Sequence, residues 1–335
     1  GNANAGTGNQ GMQDAREMAA LTASALGLDD SEVIVCSTGH IGDLMPMDAV
    51  SSGIKQLAGT LSRQDPDRIA RGIMTTDTVP KQCAVELEIG GQTVHMGGIC
   101  KGAGMICPDM ATMLACISTD AGVAPGLLQQ TLNWCVERSF NCISVDGSMS
   151  TNDTVAVLAN GASGAPELAA ESDDDFETFR DALLFVTQSL ARQIVRDGEG
   201  ATKMMSITVS GAESFVQARQ VARKISTYNL VKTMLYGGDF NWGRIVAAMG
   251  ASLVPFDPDK CTVTMAGVTA FEDGQVQDFD VDDARRKMQQ GDVDVQVDLN
   301  TGGGEATVWT CDLTPEYVHL NAEYDASDLA GGPDD

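Results

Sequence analysis

The sequence contains no apolar run approaching the roughly 20 residues that a bilayer-spanning helix requires, and it opens with no signal or transit segment. Histidine is scarce: three residues, scattered, with no CxxC pair nearby, which excludes the usual zinc frameworks. The nine cysteines are odd in number and irregularly spaced, which argues against a disulfide framework and for a reducing compartment. Basic residues are outnumbered, 21 Lys and Arg against 47 Asp and Glu, for a net charge of −26. Nucleic acid and anionic membrane are therefore excluded as partners, because either needs clustered Lys and Arg. The acidity reads as a solvated surface, and a salt-rich habitat fits it equally. What remains is a 335-residue chain, 43% hydrophobic with 36 glycines, of a size for one large globular domain or two. No internal repeat stands out, and no Met stands at position 1.

One stretch organises the rest: Lys101-Gly102-Ala103-Gly104-Met105-Ile106-Cys107-Pro108-Asp109-Met110-Ala111-Thr112-Met113-Leu114-Ala115. A glycine-rich loop with one cation, Lys101, runs into an apolar segment, Met113 to Ile117, that reads as a buried strand. Thr112 opens that strand after a small residue, Ala111. On local chemistry alone this is an ordinary loop before an ordinary core strand. Cutting between Ala111 and Thr112 would change that. It would give Thr112 a free α-amine, whose pKa of roughly 7.7 suits a general base. A threonine paired with its own terminal amine is an activated nucleophile.

This stretch resembles the self-cleavage segment of the glutamate N-acetyltransferase (ornithine acetyltransferase) family of arginine biosynthesis. In that family the threonine of Met-Ala-Thr-Met-Leu is both cleavage residue and nucleophile. Those roles would fall here to Ala111–Thr112 and to Thr112. Further segments extend the likeness over nearly the whole chain. Ser37-Thr38-Gly39, followed by Ile41-Gly42, resembles the oxyanion-hole segment, which would make Thr38 and Gly39 the groups that hold a tetrahedral oxyanion. Read alone, it is a tight turn. Lys101 looks like the substrate lysine that faces an amino-acid carboxylate; a lone exposed lysine is otherwise merely solvated. Glu199, in Asp197-Gly198-Glu199-Gly200-Ala201-Thr202-Lys203, matches a substrate-contacting glutamate suited to an ammonium group. Tyr317 to Tyr324 looks like the family's terminus, where Asn321 would reach the active site. The family's further substrate-contacting hydroxyl is replaced here by Ala326, with Ser327 next to it. A stretch similar to Gly1-Asn2-Ala3-Asn4-Ala5 lies well inside family members, after several strands. On that comparison the chain reads as shortened at its amino terminus, which would leave a sheet edge unpaired.

Elements follow from pattern. Met12 to Leu26 recurs at helical spacing and Gly27 stops it; Met47 to Leu61, Pro125 to Arg138 and Glu213 to Ile225 also read as helices. Phe176 to Ile194 reads as a long helix capped by Gly198. Val33 to Cys36 reads as a short strand. Cys83 to Ile89 and Thr93 to Cys100 read as a hairpin about Gly90-Gly91. Cys142 to Val145, Val155 to Leu158, Met204 to Val209, Cys261 to Met265, Val293 to Leu299 and Ala306 to Cys311 read as strands, with a helix over Val281 to Gln289. Ser150-Thr151-Asn152-Asp153-Thr154 also resembles the family and is assigned a structural, turn-capping role. Asp239-Phe240-Asn241-Trp242-Gly243-Arg244-Ile245 is another family signature with no catalytic role. His319 reads as a structural strand residue.

The resemblance implies a layered αββα α/β fold of the self-cleaving amidohydrolase and acetyltransferase type. The expected division is a catalytic domain over residues 1–203 and a smaller α+β domain over 204–335. It implies an α chain ending at Ala111, a β chain starting at Thr112, and a heterotetramer of two of each. The implied reaction moves acetyl from N-acetylornithine to glutamate, with Lys101, Thr112, Glu199 and Asn321 binding substrate. No metal or cofactor is implied, acetyl-CoA is an alternative donor in bifunctional members, and the location is cytoplasmic, or organellar if a missing segment carried a transit peptide. Two other readings stay open: a self-cleaving aminopeptidase or amidase in which water takes the acyl group, and a truncated, non-catalytic remnant.

Overall fold

The structure, a computed structural model, describes residues 1–62, 66–107 and 113–322. In chain order its elements are α1 (Gly8–Leu26), α2 (Met47–Ala58), α3 (Pro66–Gly72), β1 (Lys81–Ile89), β2 (Gln92–Lys101), β3 (Leu114–Thr119), α4 (Pro125–Glu137), β4 (Ile143–Ser144), β5 (Thr154–Ala159) and α5 (Phe176–Arg196). They continue as β6 (Met204–Ala212), α6 (Phe215–Ser226), α7 (Asn229–Gly237), α8 (Trp242–Gly250), β7 (Thr262–Met265), β8 (Val268–Glu272), β9 (Gln275–Val276), α9 (Val281–Gln289), β10 (Val293–Asp298), β11 (Gly304–Cys311) and α10 (Pro315–Ala322). This is the mixed α/β class expected. The chain parts into two compact units: residues 1–141 with 148–190, and residues 142–147 with 191–335.

The first unit holds a four-stranded sheet in the order β1-β2-β3-β5. Alternating residues across the Gly90-Gly91 turn make β1 and β2 an antiparallel hairpin, with Ile89 opposite Gln92. β3 runs antiparallel to β2 and parallel to β5. Lys101 lies opposite Leu114, and Leu114 lies opposite Thr154, so β2 ends where β3 and β5 begin. This register brings three chain segments together at that end of the sheet. Val94, Met96, Cys100, Ala115 and Ile117 are buried in alternation, as a half-buried sheet dictates. Phe179, Leu183, Val186 and Leu190 of α5 recur every three to four residues and are buried to 0% exposure. Each such side chain contributes about 1.5–3 kcal/mol when taken out of water.

The second unit holds a seven-stranded sheet in the order β4-β11-β6-β10-β7-β8-β9. β10 runs parallel to β6, while β11 is antiparallel to β6 and parallel to β4. Val293, Val295 and Val297 alternate inward along β10, and Met205, Ile207 and Val209 do so along β6. α6 buries Ala218, Val221, Ala222 and Ile225, one face at helical spacing, and is capped by the Ser214 side chain accepting from the Gln217 N–H. The acidic start of α9 is capped by Asp280, which accepts from the N–H groups of Asp282 and Asp283 at 2.9 and 3.0 Å.

In three places the structure departs from the sequence expectation. Val33 to Cys36 is not a strand: it has no ladder partner among the described residues, and Ile34 and Cys36 are exposed. β-branched residues favour extension, but a strand needs a neighbour to take its backbone groups. His319 lies in α10, not in a strand, because Pro315 starts a helix there and the Tyr317 N–H donates to the Thr314 hydroxyl at 3.1 Å. Gly198 does not adopt the left-handed cap conformation. Its N–H bonds Val195 O at 3.2 Å, and a β-carbon there would crowd Cys311 and Val145. All nine cysteines are free thiols. Among the described residues no helix is long and apolar enough to cross a membrane.

Candidate active site

The first unit gathers its candidate residues at the β2–β3–β5 end of the sheet. Lys101, the last residue of β2, is only 3% exposed. Its Nζ donates to Thr38 Oγ1 at 3.4 Å. The predicted substrate cation and the predicted oxyanion residue are therefore neighbours, although they stand 63 positions apart in sequence.

Thr38 and Gly39 are held in place by the opening segment of the chain. The His40 N–H donates to Gly1 O and the Ala3 N–H to His40 O, both at 2.8 Å. Ser37 Oγ donates to Ala3 O at 2.7 Å. Asn152 Nδ2 donates to Ser37 O at 3.1 Å and also to Ala3 O. Gly39 has φ +130°, and a β-carbon on it would fall 1.9 Å from Gly1 O. No other residue fits that backbone, which explains the Thr-Gly pair. The glycine-rich start thus serves as the partner of residues 37–42. Asn4 turns inward, bonding Gly11 O and accepting from the Thr7 hydroxyl.

Two carboxylates hold the described chain on either side of residues 108–112, where the cleavage point is expected. On the amino-terminal side Asp77 Oδ1 accepts from the Gly102 N–H at 2.7 Å and from Lys81 Nζ at 2.6 Å. Its other oxygen accepts from the Thr75 N–H at 3.1 Å. Burial opposes ionisation of Asp77, but Gly102, Lys81 and Thr75 together outweigh it and hold the carboxyl below its ordinary range. On the far side Asp153 Oδ1 accepts from the Met113 N–H. Burial pushes the Asp153 carboxyl up to about 7, against the Met113 N–H and the charge of Lys101. Its other oxygen, Oδ2, is buried and has no hydrogen-bond partner among the described residues. Burial also pushes the neighbouring Cys100 thiol far up, so it is no nucleophile. Ala111 and Thr112 lie outside the described residues, as do Ala326 and Ser327.

The second unit brings together Glu199 and Asn321. Asn321 Nδ2 donates to Glu199 Oε2 at 3.0 Å and to Tyr317 O at 3.0 Å, one turn back along α10. The Glu199 turn is locked by residues that pattern in the sequence does not single out. Asp312 accepts from the N–H groups of Thr202 and Lys203 at 2.8 and 3.1 Å, and from the Thr202 hydroxyl. Thr314 Oγ1 donates to Gly200 O at 2.8 Å. Gly200 has φ +67°, and a β-carbon on it would meet Tyr317 N at 2.5 Å. Burial, then Asp146 and Glu199, push the Tyr317 hydroxyl well above its usual range, so it stays a neutral phenol. The only signal for this lock in the sequence is Asp312-Leu313-Thr314-Pro315, a helix-start pattern.

Among the described residues no group of three or more His, Cys, Asp or Glu could hold a metal ion. The chemistry these residues offer is that of hydroxyls, backbone donors, a cation and carboxylates.

A sequence model of the ArgJ family matches residues 1–326. Among curated relatives, the arginine biosynthesis bifunctional protein ArgJ of Symbiobacterium thermophilum is 48% identical over 324 residues, covering 97% of this chain and 80% of that protein. The protein of the same name from Oceanobacillus iheyensis is 46% identical over 323 residues, 96% of this chain and 79% of its own. Among solved structures, the arginine biosynthesis bifunctional protein ArgJ of Bacillus halodurans superposes with a TM-score of 0.60 at 37% identity. That match covers 62% of this chain and 97% of the other. Fold, motifs and relatives together define the class as an acyltransferase of arginine biosynthesis, a glutamate N-acetyltransferase. The chain belongs to the ArgJ family.

Proposed function

We propose that this chain moves acetyl from N-acetylornithine to glutamate through an ester on Thr112, after splitting itself between Ala111 and Thr112. The Thr112 hydroxyl attacks the acetyl carbonyl, and the freed α-amine takes the hydroxyl proton. Thr38 and Gly39 stabilise the oxyanion. The C–N bond breaks, the amine returns its proton to the departing ornithine nitrogen, and Thr112 keeps the acetyl group. The amine of glutamate then attacks the ester, releasing N-acetylglutamate and restoring the hydroxyl.

The observation behind this reading is the Lys101–Thr38 contact at the head of the cut-site loop. A cation for the substrate carboxylate beside an oxyanion donor is what acyl transfer from an acetylamino acid requires. Both substrates present that carboxylate, so Lys101 serves both in turn. Glu199 is assigned to the substrate ammonium, and Asn321 to substrate binding, on the family resemblance. The route needs no cofactor. Acetyl-CoA would be a second donor to the same hydroxyl. After cleavage the chain is read as an α/β heterodimer, two of which pair, working in the cytoplasm.

The hydrolase alternative is not favoured, since the curated relatives carry a biosynthetic name over nearly the whole chain. Product analysis with and without glutamate tests it. Transfer predicts N-acetylglutamate with little free acetate, and acetate released at the same rate without glutamate would overturn it. Repeating the assay with acetyl-CoA in place of N-acetylornithine tests the second donor.

A further inference from the structure

Thr314 stands between two segments of the second unit, each of which carries a candidate substrate contact. Pro315 starts α10, and the Thr314 hydroxyl accepts from the Tyr317 N–H at 3.1 Å, as a helix cap does. Capping uses a lone pair of the hydroxyl and leaves its proton free to donate. Here that proton goes to Gly200 O at 2.8 Å, in the turn that carries Glu199 and 114 positions away in sequence. Thr314 is 4% exposed. Both bonds are therefore made away from bulk water, where losing one is most costly.

The contact matters because little apolar surface seats α10. No side chain of this helix is fully buried, and Val318 and Leu320 are exposed at 58% and 44%. A buried apolar face is what ordinarily holds a helix in place. α10 relies instead on polar contacts, and these close a ring. Gly200 O takes the Thr314 hydroxyl, and Thr314 takes the Tyr317 N–H. Tyr317 O takes the Asn321 amide, whose nitrogen also donates to Glu199 Oε2, one residue before Gly200. Both partners of that nitrogen are acceptors, so the amide is fixed with its oxygen turned away from them. Gly200 completes the fit, since a β-carbon on it would fall 2.9 Å from Thr314 Oγ1.

We infer that Thr314 is a positioning residue for substrate binding: it sets α10 against the Glu199 turn, so that Asn321 and Glu199 are presented to substrate together. The inference rests on the reading of Glu199 and Asn321 as substrate contacts. Thr314 acts through Asn321 and not on the reacting atoms. An interaction made equally in the ground state and the transition state affects KM and leaves kcat alone.

The test is the steady-state kinetics of acetyl transfer by three variants. Thr314→Val keeps the shape of the side chain without its hydroxyl, Thr314→Ser keeps the hydroxyl, and Asn321→Ala removes the residue acted through. Thr314→Val should raise KM for N-acetylornithine and for glutamate about tenfold, the scale of one hydrogen bond, with kcat within about twofold. Thr314→Ser should stay near native. Added to Asn321→Ala, Thr314→Val should raise KM no more than about twofold further. An unchanged KM in Thr314→Val, a serine variant as impaired as the valine one, or a full tenfold rise on top of Asn321→Ala overturns the positioning role while leaving Asn321 a substrate contact. If Asn321→Ala itself leaves KM unchanged, the substrate reading of Asn321 fails too.

Should Thr314→Val fail to fold, the native protein decides. Amide exchange read by mass, with and without N-acetylglutamate, should slow in residues 198–203 and 313–322 together. Slowing in the Glu199 turn with α10 unchanged overturns the coupling, and slowing in neither overturns the substrate reading as well.

Discussion

Replacing Asp77 with Ala perturbs the most heavily used carboxylate in the first unit. Asp77 is 8% exposed and Lys81 is 1% exposed, with 2.6 Å between their charged atoms. Removing one partner of a buried pair leaves the other charge uncompensated, at a cost of about 3–5 kcal/mol. Two backbone donors, Gly102 and Thr75, also lose their acceptor, about 1–3 kcal/mol each if they stay dry. The losses share one site and do not add. About 3–5 kcal/mol is therefore the working figure, a drop in Tm on the order of 10 °C. Adding Lys81→Met should recover about 1–4 kcal/mol, because an apolar replacement no longer needs a buried partner. The assay is urea unfolding of Asp77→Ala, Lys81→Met and the double variant, alongside the rate of chain splitting. Splitting at the proposed Ala111–Thr112 bond should slow in Asp77→Ala even below the unfolding range, since Asp77 holds Gly102, which precedes that bond. The sign with pH also follows. Asp77 titrates below its unfolded value, so its contribution is fully present above about pH 4 and is lost as pH falls through its folded pKa. A loss under about 1 kcal/mol, or no recovery in the double variant, would mean that the Asp77–Lys81 pair does not hold this corner of the unit.

Three further outcomes are expected. Thr38→Ala should lower kcat by about 10²–10³, the usual cost of one oxyanion donor, with KM little changed; a pure KM effect would make Thr38 a binding residue. Lys101→Met should weaken both half-reactions, acetyl-enzyme formation from N-acetylornithine and discharge by glutamate, by about 1.5–3 kcal/mol each, and sparing either one would require separate donor and acceptor pockets. Gly200→Ala should destabilise the second unit by about 1–3 kcal/mol, because its φ is +67° and its β-carbon meets Tyr317; thermal melts should show this together with raised KM, and an unchanged KM would detach Glu199 from substrate binding.

Much of this molecule is legible in the sequence, where the signal is periodic. The β1–β2 hairpin follows from alternation around two glycines, and α5 from one continuous apolar face. α7 and α8 do not emerge in the same way, because Asp239 to Ile245 reads as a motif before it reads as a helix. Trp242 in fact starts a helix there and stacks on Phe271 at 5.4 Å. The Val33 strand fails because pairing is a property of the neighbour, not of the segment. Thr38, Gly39, Lys101, Glu199 and Asn321 are reached by resemblance. Asp77 is not, and Asp153 is reached only within a turn-capping motif, as their partners lie 25 and 40 positions away, and a carboxylate in a turn-rich stretch looks like any solvated one. Burial makes the difference, and burial is decided by elements distant in the chain. Asp312 is hidden in the same way, 110 positions from Thr202.

Acetyl transfer by this route requires that Thr112 itself carry the acetyl group. Split enzyme incubated with N-acetylornithine and no glutamate, then quenched in acid, should show one acetyl group by mass on the β chain. Fragmentation should place it on Thr112, and a pulse of glutamate before quenching should remove it. An acetyl group on another residue, none at all in an active enzyme, or full activity in Thr112→Ala would rule the threonine ester out.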